Sequence, residues 1–433
     1  MAVETFHRTL WSALAPAAPP TPPLDGMARA DVVIVGAGLL GLSAALHLAE
    51  TGVDVAVLEA AEPGFGASGR NTGFVVPSLR TSLGPGDVTA RLGAHGEPLT
   101  RLVGQSGTIV FGLIRRLGIA CAAEQTGWMQ PAHSAAMMRT LETRQRDWAA
   151  RGRTVTILDA AETARRAGIA FYHGALVDPT GGQINPLAYA RGLAAAAIGA
   201  GARIHAASRV AALDRADGGW LVRTARGAVR ADRVLLTTNA LVDALEPSMA
   251  ASIIPVRVHQ IATEPLAEAF ADRLLVGRSP LADTRRHTFA LRWSPDGRLV
   301  TGGMVMPGPG ALGRAERGFL ARLRRFVPGL GPVRADFVWN GVIAATLDQM
   351  PRFVDLAPGL DAAIGCNGRG VALTTALGRE IAGLYAGRIA AADFPLPHGR
   401  PEKVPGHFMA RHGPALWLPW SNWRDDRESA AGR

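Results

Sequence analysis

The sequence predicts an α/β fold: one domain on a parallel sheet, joined to a second α+β domain built on an antiparallel sheet. Three observations lead there. A continuous apolar run, Val32-Val33-Ile34-Val35, leads directly into Gly36-Ala37-Gly38-Leu39-Leu40-Gly41. A strand, a helix and a second strand then fit into under thirty residues, about the size of a minimal βαβ unit. From about residue 253 to 338 the pattern changes to short, spaced strands with turn signals, as an antiparallel sheet requires.

A chain of 433 residues has room for two or three domains. Residues 1–28 read as an extended leader, because Pro16, Pro19, Pro20, Pro22 and Pro23 remove donors and fix φ. Trp11 is expected to anchor that arm on the globular body. The run 32–35 is apolar throughout, as a strand buried on both faces must be. A helix over 42–50 and a strand over 53–58 complete the first unit. Further helices are expected at 97–118, 134–151 and 187–199, the last with Pro186 in its first turn. Strands are expected within 202–213, 219–224 and 228–237. Ser294-Pro295-Asp296-Gly297 reads as a hairpin turn between strands 288–293 and 298–302. A helix at 313–326, a strand at 361–365 and a helix at 371–387 follow. The last forty residues, rich in proline and holding Trp417, Trp420 and Trp423, read as an irregular tail packed on the surface.

The glycines have separate tasks in a dinucleotide-binding turn. Gly36 makes the turn from strand to helix, Gly38 lets the backbone approach a pyrophosphate, and Gly41 lets helix and strand pack closely. The phosphates then face a helix N-terminus, where free N–H groups and the helix dipole favour negative charge. Glu59 closes the second strand at about the 20-residue offset of an acid that accepts from a ribose hydroxyl. A carboxylate there repels a 2′-phosphate, which disfavours NADP and leaves FAD and NAD.

Composition excludes several classes. Hydrophobic residues make up 48% of the chain, enough for a full core. The formal charge is +10, yet Lys403 is the only lysine and the arginines are scattered. A nucleic-acid surface gathers its basic residues on one face with interleaved aromatics, so no nucleic-acid partner is expected. Cys121 and Cys366, widely separated, form neither a disulfide framework nor a metal motif, and no metal is expected. No stretch approaches the ~20 apolar residues of a membrane span. With no signal-peptide pattern at the N-terminus, a cytoplasmic location is expected.

Four segments separate FAD from NAD by resemblance. They are the leader with Leu10-Trp11, the loop Gly66-Ala67-Ser68-Gly69-Arg70-Asn71-Thr72-Gly73, the stretch Gln183-Ile184-Asn185-Pro186-Leu187, and Gly365-Cys366-Asn367-Gly368-Arg369-Gly370-Val371. In this order they resemble the D-amino-acid-oxidase-like (DAO) family of FAD-dependent oxidoreductases, with a nearer likeness to its gamma-glutamylputrescine oxidase branch. The resemblance implies a Rossmann-like FAD-binding domain from 29–85, 180–247 and 352–400. A substrate domain would comprise 86–179 and 248–351, and a C-terminal tail 401–433. It implies FAD contacts from Gly36, Gly38, Leu39, Leu40, Gly41, Glu59, Ala60, Ser68, Gly69, Arg70, Asn71, Thr72, Gly73, Val210, Thr238, Asn239, Asn367, Gly368, Arg369, Gly370 and Val371. Covalently flavinylated relatives use a cysteine or histidine beside the ring. Neither occurs in 66–73 or 339–351, so non-covalent FAD is expected.

The implied chemistry is hydride transfer from the carbon of a neutral primary or secondary amine to flavin N5. The resulting imine is hydrolysed, and oxygen or another acceptor reoxidises the flavin. In relatives with amino-acid substrates an arginine binds the carboxylate bidentately. Positions 337–351, which resemble the stretch carrying it, offer Trp339, Asn340 and Thr346 instead. That favours an amine, an N-substituted amine or a gamma-glutamyl amine over a simple amino acid. Arg257, Arg285, Arg286 and Arg292 remain as cations; Arg292 is either near the substrate or a surface arginine on an edge strand. His259 and Asn71 are further substrate-pocket candidates, with Tyr172 and His173 beside them. Each histidine has the alternative of an ordinary hydrogen-bonded structural role. Asp348 is expected to hold a loop. Two rival readings are an oxidase of free or N-methyl amino acids, and a basic nucleic-acid- or membrane-binding protein on a vestigial flavin fold.

Overall fold

A computed structural model describes residues 8–242 and 245–430. The first seven residues of the expected leader, residues 243–244 and the last three of the tail lie outside the described residues. One sheet runs in the order His398–Gly399, Arg352–Ala357, Leu360–Ile364, Gly227–Leu236, Gly26–Val35, Val55–Leu58, Arg203–His205. From Leu360–Ile364 to Arg203–His205 its neighbours are parallel. Val33 sits between Val234 and Ala56, fully buried, so the apolar run of the sequence lies at the sheet's centre. Gly219–Arg223 and Ala212–Ala216 extend the sheet from Gly227–Leu236 as an antiparallel hairpin.

Helices cover the parallel sheet because its strands have no polar face to expose. Leu39–Ala49 and Gly370–Tyr385 bury Leu42, Ala45, Leu373 and Leu377 in a core that also takes Ile34 and Val57. The opposite face buries Val33, Val35, Trp220, Val229 and Val234. Gly378 lets the two helices touch: a Cβ there would come within 2.6 Å of the Leu40 carbonyl.

The second sheet runs Ala335–Ala345, Ile254–Thr263, Leu299–Gly303, Ala290–Trp293, Leu281–Ala282, Trp128–Pro131, Ala175–Asp178, Thr156–Leu158. It is antiparallel apart from the pairing of Leu281 with Met129. The predicted turn closes its central hairpin: Ser294 N–H donates to the Arg298 carbonyl at 2.8 Å, with Gly297 at φ +77°. The helix Ala311–Phe326 packs Ala315, Phe319 and Leu323 on one face.

The tail departs from expectation. It forms two helices, His407–Ala410 and Gly413–Ala430, the second carrying Pro419 in its interior. Charge holds it to the antiparallel sheet. Arg286 donates to Asp425 at 3.2 Å and to Glu428 at 2.8 Å, and the His287 N–H donates to Asp425. Among the described residues no helix is long and apolar enough to cross a membrane.

Candidate active site

The dinucleotide turn has the geometry its glycines imply. Gly36 takes φ +106°, and a Cβ on Gly41 would lie 2.2 Å from the Gly36 carbonyl oxygen. Gly38 caps the helix Leu39–Ala49 without a side chain, and the Leu39 N–H donates to Ser68 Oγ at 3.0 Å. Glu59 accepts from the N–H of Ala37 at 2.8 Å and of Ala61 at 2.9 Å. Burial raises the Glu59 pKa, and these N–H groups oppose the rise. Each of its oxygens keeps a lone pair for a ribose hydroxyl.

A cleft of about 580 Å³ runs from Glu59 and Val210 past Gly36 and Gly38 to Ser68. It is also lined by Ala60, Thr238 and Asn239. Ala67 lies on its wall and on the walls of two further cavities. The smaller is lined by Leu39, Leu40, Gly368, Gly370 and Val371. The larger, about 590 Å³, opens between the two sheets and is lined by Arg70, Asn71, Thr72, Asn367 and Arg369. The three spaces adjoin at Ala67, as a long ligand with a ribose at one end and a flat ring further along requires. Gly41, Gly69 and Gly73 stand behind the wall; a Cβ on Gly73 would meet the Ile184 carbonyl at 2.2 Å.

The loop 67–73 is held from behind through its carbonyls. Trp339 Nε1 donates to Arg70 O at 2.9 Å, and Trp11 Nε1 to Asn71 O at 2.7 Å. Arg292 Nη1 donates to Thr72 O at 3.0 Å, Gly73 O at 3.3 Å and Ile184 O at 2.7 Å. Four successive carbonyls are thus taken by three buried side chains. Arg292 also lies over the Trp11 ring, which packs edge-on to Trp339. Asn71 ties the same loop internally, donating to Ala67 O and Ser68 O and accepting from Gly73 N–H.

Two substrate candidates take other positions. Arg292 is 1% exposed and is not on the cavity wall; it braces the loop, and burial lowers its pKa to about 9. His259 points to the opposite face of its strand, where burial, Arg257 and Arg314 lower its pKa to about 4. Its neighbours Val258 and Gln260 face the cavity instead. Alternation is the reason: a one-residue step changes the face. Asn71 does line the cavity, with both ends of its amide engaged in its own loop.

The other cations divide similarly. Arg257 donates to Asn340 Oδ1, and Arg285 is buried against Asp283. Arg286 lines the cavity with its charge met by Asp425 and Glu428. Tyr172 donates to Asp283 at 3.3 Å in the core of the second sheet. Asp348 accepts from Met350 N–H and Arg352, holding its loop. Asn367, at φ +51°, accepts from Thr346 N–H at 2.9 Å and so ties the strand Ala335–Ala345 to the loop before Gly370–Tyr385.

Sequence reasoning missed three parts of the wall. Gln260 is 5% exposed and its Oε1 has no hydrogen-bond partner. Arg80 lies beyond the glycine-rich loop and faces the cavity. The tail contributes Ala410, Gly413, Pro414 and Trp417. Only Gln260 had a sequence signal, as the alternation partner of Val258.

Fold and cleft together define a dinucleotide-binding protein of the Rossmann-like class, with a second cavity between its two sheets. The family model described as FAD dependent oxidoreductase, DAO, matches residues 31–384, and the chain belongs to that family. Gamma-glutamylputrescine oxidoreductase of Escherichia coli is 35% identical, over 87% of this chain and 89% of that protein. A probable oxidoreductase, OrdL, of Haemophilus influenzae is 32% identical over 83% and 84%. Among solved structures, glycine oxidase from Geobacillus kaustophilus superposes with a TM-score of 0.68 at 22% identity, covering 84% of this chain and 96% of that one. Iminodiacetate oxidase from Chelativorans sp. BNC1 gives 0.67 at 22% identity, covering 86% and 100%. The protein is an FAD-dependent oxidoreductase.

Proposed function

We propose that this enzyme oxidises the C–N bond of a primary or secondary amine, with a gamma-glutamyl amine as the leading substrate type. One observation carries the reading: among the described residues the cavity wall holds Arg80 and Arg369 but no carboxylate to pair with an ammonium ion. An ammonium ion is disfavoured beside uncompensated positive charge, whereas the free base is tolerated. His287, also on the wall, is held neutral, its pKa lowered by burial to about 4. The amine therefore sits with its nitrogen lone pair available, the state from which hydride can leave the adjacent carbon. Gln260 Oε1 is the buried acceptor that meets an amine N–H. FAD, bound without a covalent link, supplies the two-electron acceptor. The loop 67–73, Gln260 and the tail orient the substrate and exclude water while the C–N bond is oxidised.

The likeness to gamma-glutamylputrescine oxidoreductase supports the substrate type, and the neighbours named for glycine and iminodiacetate support C–N chemistry in general. The test is anaerobic flavin reduction of the purified holoenzyme by gamma-glutamylputrescine, putrescine, N-methyl amino acids and free α-amino acids. Rapid bleaching by the gamma-glutamyl amine supports the reading. Bleaching by free α-amino acids alone would overturn it. Admitting air to the same sample shows whether oxygen reoxidises the flavin or another acceptor is needed.

A further inference from the structure

The helix Gly413–Ala430 supplies Gly413, Pro414 and Trp417 to the cavity wall, yet little apolar surface holds it there. Leu418 is its one buried apolar side chain among the described residues, while Leu416, Trp420 and Trp423 are exposed. Burial of large apolar side chains is what normally seats a helix. Here the seat is polar. Arg286 pairs with Asp425 and Glu428, and Asp426 pairs with Arg325 on the helix Ala311–Phe326. Asp425 is the buried member and also accepts from the N–H groups of Arg286 and His287. Asn422 Oδ1 lies 2.7 Å from His287 Nδ1. Arg286 and His287 line the cavity themselves, so the fastening lies in its wall.

The chain is anchored just before this helix. The Val404 N–H donates to the Ala251 carbonyl at 2.9 Å, and His407 Nε2 lies 2.9 Å from the Ile253 carbonyl. Residues 411–412 form a turn, and a Cβ on Gly413 would meet nothing within 4 Å, so the link from anchor to helix has room to bend. Partly exposed ion pairs contribute little and are screened by salt. Opening returns Asp425 to water, so its hydrogen bonds are exchanged rather than lost. An element held in this way opens at a lower cost than the core unfolds. A closed wall excludes water from the reacting bond, and an open one passes substrate and product.

We propose that this helix is a hinged wall of the substrate cavity, turning on residues 411–413 to admit the amine and latched shut by Arg286 with Asp425 and Glu428. What enters rests on the amine-oxidising reading; the motion does not. Closing brings the two acids back to Arg286 and removes an uncompensated charge from the wall.

Hydrogen–deuterium exchange of the full-length, FAD-loaded enzyme reads the motion without any substrate. Amides of 414–428 should exchange as a unit and faster than those of the strand Ile254–Thr263. Glu428→Gln should quicken exchange of 414–428 about fivefold and leave that strand unchanged. Asp425→Asn should do so more strongly, and high salt should do the same in the wild type. Exchange of 414–428 as slow as that of the strand would overturn the hinge. Fast exchange indifferent to salt and to both variants would overturn the latch; should the variants fail to fold, the salt dependence of the wild type decides alone. A kinetic arm, run with whichever amine reduces the flavin, ties the motion to the cavity. Trp417→Ala trims the wall, and KM should rise about fivefold. Unchanged KM and kcat would take the helix out of the substrate site. If no amine in the panel reduces the flavin, the amine-oxidising reading fails, and the exchange arms still decide whether the wall moves.

Discussion

The indole N–H of Trp11 donates to the carbonyl of Asn71 at 2.7 Å, bringing the leader to the back of the loop 67–73. Trp11 is fully buried, and so is the Trp339 ring it packs against. Trp11→Phe keeps most of the bulk and removes the donor, leaving a buried carbonyl short of one bond. The loss should be about 1 kcal/mol of stability. FAD affinity should fall as well, because the loop loses one of its anchors. Thermal unfolding with and without added FAD, together with a flavin titration of the apoprotein, measures both.

Arg292 braces Thr72, Gly73 and Ile184 through their carbonyls and stays away from the cavity. Arg292→Lys retains charge but loses the Nε donor to the Trp293 carbonyl and the planar guanidinium over the Trp11 ring. It should weaken FAD retention and lower the unfolding temperature, while the order of preference among substrates stays as in the wild type. A changed substrate order with normal FAD binding would return Arg292 to the substrate side. Steady-state kinetics across the amine panel at saturating FAD decides between these outcomes.

Gly41 has no room for a methyl group: its Cβ would lie 2.2 Å from Gly36 O and 2.7 Å from Thr237 Oγ1. Gly41→Ala must push the helix Leu39–Ala49 from the strand Gly26–Val35, which moves the N–H groups meant for the pyrophosphate. Overpacking of this kind costs about 1–3 kcal/mol. The variant should therefore be recovered as colourless or weakly coloured protein that needs far more FAD for saturation, read by fluorescence quenching of the flavin.

Acid should destabilise the fold through His259. Its pKa is about 4 in the fold and 6.5 for the ordinary group, so the imidazole is buried neutral. Between those values the unfolded chain takes up a proton that the folded chain refuses, and stability falls as pH drops from 6.5 towards 4. The slope from this one group reaches at most about 1.4 kcal/mol per pH unit. His287 acts in the same direction. Urea midpoints at neutral and mildly acid pH should lie closer together in His259→Gln than in the wild type.

The first strand, the glycine turn and the helix after it were legible because sterics dictate them. Gly36 needs glycine for its φ of +106°, and Gly41 needs it because a Cβ would lie 2.2 Å from the Gly36 carbonyl oxygen. The roles of His259 and Arg292 were not legible, since what covers each face depends on segments far away in the chain. Thr72 and Ile184 lie 220 and 108 residues from Arg292. The tail was misread for a related reason. Pro419 and the exposed Leu416, Trp420 and Trp423 hide its helical period, and Asp425 and Glu428 fix it only through Arg286 on another segment.

The central claim, that C–N oxidation of an amine reduces the flavin, is tested most directly by a single anaerobic turnover with product analysis. Holoenzyme is mixed with excess gamma-glutamylputrescine, the flavin absorbance is followed to completion, and the quenched mixture is assayed for aldehyde and ammonia. The account predicts full bleaching with about one aldehyde and one ammonia per flavin, since hydride transfer takes two electrons and hydrolysis of the imine divides the C=N bond. An oxidised flavin, or bleaching without an equivalent of aldehyde, would contradict it.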